Sequence, residues 1–142
     1  MKLVVGADHA GFVLKEAIKA HVAAAGHEFV DVGTHEAVSV DYPDFAHALA
    51  GALAEKTATL GILVCGSGVG MSIAANRHAH VRAVVCSEPF SARMSRAHND
   101  ANVLCLGARV VGEGLAFDVV DAFLGASFEG GRHANRVAKI NP

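Results

Sequence analysis

Long hydrophobic runs are missing from this sequence: charged or polar residues interrupt every apolar stretch well short of the roughly 18 residues that a membrane span requires. The chain is therefore expected to be soluble. Charge is also scarce. Only 18% of residues are charged, the formal net charge is -2, and the basic residues are scattered apart from one pair near the end, Arg132 and Arg136. No basic patch of the kind that tracks a phosphate backbone is present, so nucleic acid is not an expected partner. Cysteine is limited to Cys65, Cys86 and Cys105, an odd number, widely spaced, each at the end of or inside an apolar run. That pattern excludes a disulfide framework and the paired spacing of a zinc site. It suits reduced thiols in strands. No basic leader with a hydrophobic segment and a small-residue cleavage site precedes the first apolar run, which adds to the expectation of a reducing, cytoplasmic home.

What is there is apolar. Hydrophobic residues make up 52% of the 142 residues, more than in an average soluble domain. The length suits one domain, 1–142, and the excess implies extra buried surface, most simply a subunit interface. Short runs rich in Val, Ile and Leu at 3–5, 29–32, 61–65, 83–86 and 103–106 predict five buried strands. Helical spacing predicts helices over 12–24, 45–53, 69–75, 89–97 and 115–124, with Gly26 and Gly125 as stops and Pro89 in a first turn. Continuous apolar strands alternating with helices define a parallel sheet covered on both faces. The expected fold is a single-domain α/β three-layer sandwich around a doubly wound, Rossmann-like five-stranded parallel sheet. The core spans 1–125, and a polar tail, 126–142, either frays or docks on a partner.

In such sheets ligands bind beyond the carboxyl ends of the strands, where the winding reverses. The loops there read Gly6-Ala7-Asp8-His9-Ala10-Gly11, Cys65-Gly66-Ser67-Gly68-Val69-Gly70 and Ser87-Glu88-Pro89, and a further polar group, His98-Asn99-Asp100, precedes the fifth strand. Gly66, Gly68 and Gly70 free the backbone to turn several amides toward one point near a helix start, a nest for a phosphate or for an oxyanion formed during reaction. A tight turn with close packing would use the same glycines. Dinucleotide binding fits less well, since Met71 stands where a third glycine belongs, although Glu88 lies near the distance of a ribose-binding acid. A P-loop is excluded because Phe12-Val13 replaces its Lys and hydroxyl residue.

Cys65, at a strand end before this nest, would feel the same amides and helix dipole, which favour a thiolate able to act as base or nucleophile. An inert buried thiol is the competing reading, and the one given to Cys86 and Cys105. His98 is of the residue type that exchanges protons near neutrality. Among the nine histidines, His9 stands out because Asp8 precedes it, whereas His21, His27, His35, His47, His78 and His80 read as surface.

Taken together, 6–11, 65–70, 87–89, 98–100 and the segment Glu129-Gly130-Gly131-Arg132-His133 make a chain that resembles the ribose-5-phosphate isomerase type B family over nearly its whole length. The wider group includes two-subunit galactose-6-phosphate isomerases and allose-6-phosphate isomerases. The resemblance implies a homodimer, sometimes a tetramer, with active sites shared at the subunit interface, a phosphorylated sugar as substrate, and no metal or cofactor. It implies that Cys65 is the base moving a proton between C1 and C2 through a cis-enediol, while Ser67 and the glycine-loop amides hold the negative oxygen. His98 with Asp8 would open the sugar ring, and Tyr42 and Asn99 would contact the sugar. His9, Arg132 and Arg136 would hold the phosphate, with Arg109 as a further candidate. Some family members use a Glu at the position of Met71 instead of the Cys; this chain has the Cys alone. Ser67 stands where relatives can carry Thr, and either supplies a hydroxyl. A six-carbon sugar phosphate as substrate, or a catalytically silent sugar-phosphate or nucleotide sensor, are the rival readings.

Overall fold

The computed structural model describes residues 1–141; Pro142, the last residue of the tail, lies outside them. Five strands, β1 (Lys2–Ala7), β2 (Glu28–Asp31), β3 (Leu60–Cys65), β4 (Ala83–Val85) and β5 (Val103–Gly107), form one parallel sheet in the order β2-β1-β3-β5-β4. Helices α1 (Phe12–Ala24), α2 (Tyr42–Ala54), α3 (Val69–Ala75), α4 (Pro89–Asn99) and α5 (Glu113–Leu124) connect and follow the strands, and a short α6 (Arg132–Val137) closes the chain. This is the expected doubly wound sandwich.

The near-continuous apolar strands follow from coverage on both faces. Leu3, Val5, Ile62, Val64, Leu104 and Leu106 project to one side, where Leu14, Ile18 and Val22 of α1 and Val119, Val120 and Phe123 of α5 cover them. Val4, Leu63, Cys65, Val103 and Cys105 project to the other, against Leu49 and Ala50 of α2 and Met71, Ala74 and Ala75 of α3. Gly61 falls on that second face because Leu49 lies there: a Cβ would stand 2.9 Å from its side chain.

Most boundaries differ from the sequence expectation by one to three residues, and α6 was not expected; three of the differences have a clear local reason. Helix α2 begins at Tyr42, three residues early, with Asp41 extended at its N-cap and Pro43 in the first turn, positions that carry no apolar period. Strand β4 stops at Val85 and leaves Cys86 just beyond it. Helix α4 runs on to Asn99, so that His98 and Asn99 lie in its last turn and Asp100, at φ 47°, is the left-handed cap. Gly26 at φ 83° ends α1 as expected. Through Asn141 the tail is held on the chain itself: Glu129 donates its amide to the Ala97 carbonyl at 3.0 Å, α6 packs on α4, and Asn141 donates to the Ala79 carbonyl at 3.0 Å. Within this chain the tail rests on its own α4. Among the described residues, no helix is long and apolar enough to cross a membrane.

Candidate active site

The winding reverses between β1 and β3, because β2 lies to one side of β1 and β3 to the other. The loops after β1 and β3 therefore flank a crevice at the carboxyl edge, and a cleft of about 330 Å³ opens there. Asp8, Tyr42, Cys65, Ser67 and Arg109 line it, with Gly66 and Gly70 in its floor.

Cys65 is the last residue of β3 and is buried. The Gly68 amide donates to its Sγ at 3.1 Å. Gly68 takes φ 81° as the N-cap of α3, a left-handed conformation that lets the chain turn its amide back toward the sulfur. The other two loop glycines differ in how closely a neighbour approaches them. A Cβ at Gly66 would stand 3.4 Å from the Arg109 guanidinium, and one at Gly70, already inside α3, only 2.7 Å from the Tyr42 ring. Gly68 is thus conformational and Gly70 steric, while at Gly66 a Cβ would make only ordinary contact with the mobile end of Arg109. Ser67 is exposed, and its Oγ accepts from the Val69 amide at 3.3 Å. Gly107 pairs with Cys65 across the sheet; a Cβ there would meet the Ser67 carbonyl oxygen at 2.7 Å.

Asp8 is buried, and its Oδ1 accepts from the Ala10 and Gly11 amides, both at 3.0 Å. It shapes the loop into α1. The Val40 amide donates to His9 Nδ1 at 3.2 Å. In the neutral imidazole that contact places the proton on Nε2, leaving a donor free to face an anion. Arg109 is held by its amide, which donates to the Gly66 carbonyl at 3.0 Å. The weaker candidate of the sequence reading thus lies in the same cleft as the thiol.

Glu88 is spent elsewhere: its carboxylate accepts from the Phe90 and Ser91 amides at 2.6 and 2.7 Å as the cap of α4, and the Ser91 contacts in particular hold its pKa below the usual range. This removes the acid that the dinucleotide alternative needed. The inert reading of the other two thiols fits their surroundings. Burial pushes Cys86 up to about 11, and Cys105, fully enclosed, is raised well above the ordinary thiol value by the same cause.

The remaining candidates stand apart. Helix α4 carries the chain from the carboxyl edge back to the amino edge, and its 11 residues cover roughly 16 Å. His98 and Asn99 at its far end, and Arg132 and Arg136 on α6 packed against it, are thereby at the opposite end of the sheet from Cys65. Asp8 and His98, paired in the sequence reading, are not together within one chain. Asn99 lines a different cleft, of about 510 Å³, with Arg77, Arg82 and Asn141. The His98 ring stacks on His133, with centroids 4.2 Å apart and planes within 8°.

Sequence reasoning missed Lys15, Glu129 and His133. Lys15 is wholly buried, and its Nζ donates to Asp31 Oδ2 at 2.6 Å and to the Thr34 carbonyl at 2.8 Å, tying α1 to the segment that carries Val40 and Tyr42. Its place between Leu14 and Ile18 on a helix face was the available signal. Glu129 and His133, four apart, form with His98 the one His/Glu group whose ligand atoms lie within 4.8 Å of one another among the described residues. The sequence reading found no metal-ligand spacing. The two rings are parallel, however, so their in-plane lone pairs do not converge on a common point. Of the six histidines read as surface, His21 meets Asp121 at 2.7 Å, and His47 meets His78 at 2.8 Å.

A thiol on a strand end, an amide turned onto it and a switch-point cleft with a guanidinium define an α/β enzyme site for a small anionic substrate. Residues 3–140 match the Ribose/Galactose Isomerase family model, and the chain belongs to that family. It is 55% identical to ribose-5-phosphate isomerase B of Escherichia coli over 98% of this chain and 93% of that one. A putative sugar phosphate isomerase of Bacillus subtilis is 39% identical over 99% and 95%. Among solved structures, ribose-5-phosphate isomerase B of Clostridium thermocellum superposes with a TM-score of 0.97 at 52% identity, covering 99% of this chain and 95% of that one. The type B ribose 5-phosphate isomerase of Trypanosoma brucei gives 0.94 at 46%, covering 98% and 95%.

Proposed function

We propose that this chain interconverts ribose 5-phosphate and ribulose 5-phosphate, with Cys65 as the base. The observation that carries the reading is the Cys65 thiol, facing the switch-point cleft with the Gly68 amide on its sulfur, in a chain 55% identical to an enzyme of that name. The thiolate takes the proton from C2 of the open aldose, and the electron pair forms the C1–C2 double bond while negative charge moves to O1. The Ser67 hydroxyl and the loop amides hold that oxygen, where donors fixed in advance stabilise charge as it develops. The O2 proton passes to O1, leaving the charge on O2; the thiol then returns its proton to C1 as the C1–C2 double bond opens and O2 becomes the ketone oxygen. Neither metal nor cofactor takes part.

His9, Arg109, Arg132 and Arg136 hold the phosphate, for which the planar guanidinium is suited; Tyr42 and Asn99 contact the sugar; and His98 opens the ring. Because α4 separates His98, Asn99 and α6 from Cys65, a second copy of the chain supplies them to each site. The apolar excess and the exposed Val69, Ile73 and Phe90 support such a homodimer, which can pair further into a tetramer. The site would then face Asp8 of one copy toward His98 of the other.

The test is an NMR assay of ribose 5-phosphate conversion with chelator present, beside six-carbon sugar phosphates and the Cys65→Ala variant. Conversion of the pentose phosphate is expected in the wild type, and loss of about 10²–10⁴-fold in the variant, the usual worth of a positioned base. Unchanged melting and phosphate binding should accompany that loss. Substantial turnover by the variant would remove Cys65 from the role, and a strong preference for six carbons would overturn the ribose assignment.

A further inference from the structure

We propose that Glu129 and His133 are positioning residues for His98, fixing the plane and direction of its ring; the inference rests on the reading of His98 as the ring-opening group. His98 is 38% exposed in the last turn of α4, where an unsupported imidazole would spread over several rotamers. It lies instead face to face with His133, 4.2 Å away and within 8° of parallel. His133 is itself buried, so the platform is rigid.

The platform is built from an unusual backbone. Gly130 and Gly131 take φ 66° and 55°, left-handed values that swing the chain into α6 and put His133 in its first turn. One residue earlier, the Glu129 amide is pinned to the Ala97 carbonyl, next to His98 along α4. The Glu129 carboxylate then lies at the Nε2 edge of the stacked pair, with Oε2 3.6 Å from His133 Nε2 and 3.9 Å from His98 Nε2. Burial, together with the neighbouring His98, Arg132 and Arg136, keeps His133 below the ordinary imidazole range against the pull of Glu129. His133 is thus disfavoured as a second cation beside His98, and the Glu129 charge acts on the edge of both rings.

The experiment is a double-mutant cycle on the full-length enzyme. His133→Leu and Glu129→Gln should each lower kcat for ribose 5-phosphate by about ten- to a hundredfold, the cost of small misplacements at a reacting centre. KM should stay within twofold, and His133→Phe, which keeps a flat platform, should recover most of the loss. In a His98→Asn background neither change should lower kcat further, because residues acting through one another are not additive. Losses that multiply in that background, or a rise in KM at constant kcat, would overturn the proposal. Glu129 is exposed, so its variant remains informative if His133→Leu does not fold. A wild type inactive on pentose phosphates would defeat the functional reading alone. The ring-current shift of the His98 protons then decides: its loss in His133→Leu supports the platform, and its absence from the wild type refutes it.

Discussion

The least visible side chains at this site are the ones glycine omits. A Cβ at Gly11 would stand 2.3 Å from the Val64 carbonyl oxygen, backbone of the central strand that cannot yield, whereas one at Gly51 on α2 would meet nothing within 4 Å. Gly11→Ala is thus expected to destabilise by at least about 3 kcal/mol or to prevent folding, through forced backbone displacement. Gly51→Ala should stabilise by up to about 1 kcal/mol, from helix propensity. Urea unfolding of the two variants checks the contrast, and equal effects would show that glycine's chain entropy, not close approach, decides both. From the sequence, Gly66, Gly68 and Gly70 were visible as one motif. Their separate reasons were not, because the Tyr42 ring that excludes a side chain at Gly70 comes from another part of the chain. The thiol was legible for the opposite reason: strand end, glycine and helix start are neighbours in sequence.

At the scale of elements, alternation and apolar runs gave the strands, helices and layers, since burial on both faces leaves a local imprint. What stayed hidden were contacts between elements, such as the Lys15, Lys19, Glu16 and Asp31 cluster joining α1 to β2. Lys15 Nζ and Lys19 Nζ lie 2.6 and 2.7 Å from Asp31 Oδ2, and the Gly33 amide donates to Oδ1. Burial pushes the Asp31 carboxyl up, but these hydrogen bonds outweigh it and leave its pKa below 3.8. A carboxyl depressed in the fold adds stability above its unfolded pKa and loses it as pH falls through the folded value. Asp31→Ala takes the nearest carboxylate from the enclosed Lys15 charge, leaving it Glu16 at 3.1 Å and the Thr34 carbonyl at 2.8 Å, and should cost about 3 kcal/mol at pH 7, the low end for a broken buried pair. The gap between variant and wild type should narrow once the pH drops below 3.8. Urea midpoints at pH 7 and in acid measure it; a gap constant across that range would mean the cluster is not what Asp31 contributes.

At the scale of the molecule, the sequence placed all candidate residues in one site, whereas the winding of the sheet divides them. Helix direction is the reason, and motif order already carried it: in a parallel sheet a residue just before a strand, as His98 is before β5, lies at the amino edge, and one at the end of a strand, as Cys65 is on β3, lies at the carboxyl edge. If each active site combines Cys65 of one copy with His98 of another, the two halves can be repaired in trans. Cys65→Ala and His98→Asn dimers should each be nearly inactive. After exchange of subunits, a mixed dimer has one doubly altered site and one intact site. An equal mixture that re-pairs at random should recover about a quarter of wild-type turnover, since half the dimers are mixed and each has one of two sites intact. Mild denaturation and refolding of the mixture, followed by the isomerase assay, makes the measurement. Recovery near that fraction requires sharing between subunits, whereas no recovery despite mass-spectrometric proof of mixed dimers would place both residues in sites completed by a single chain.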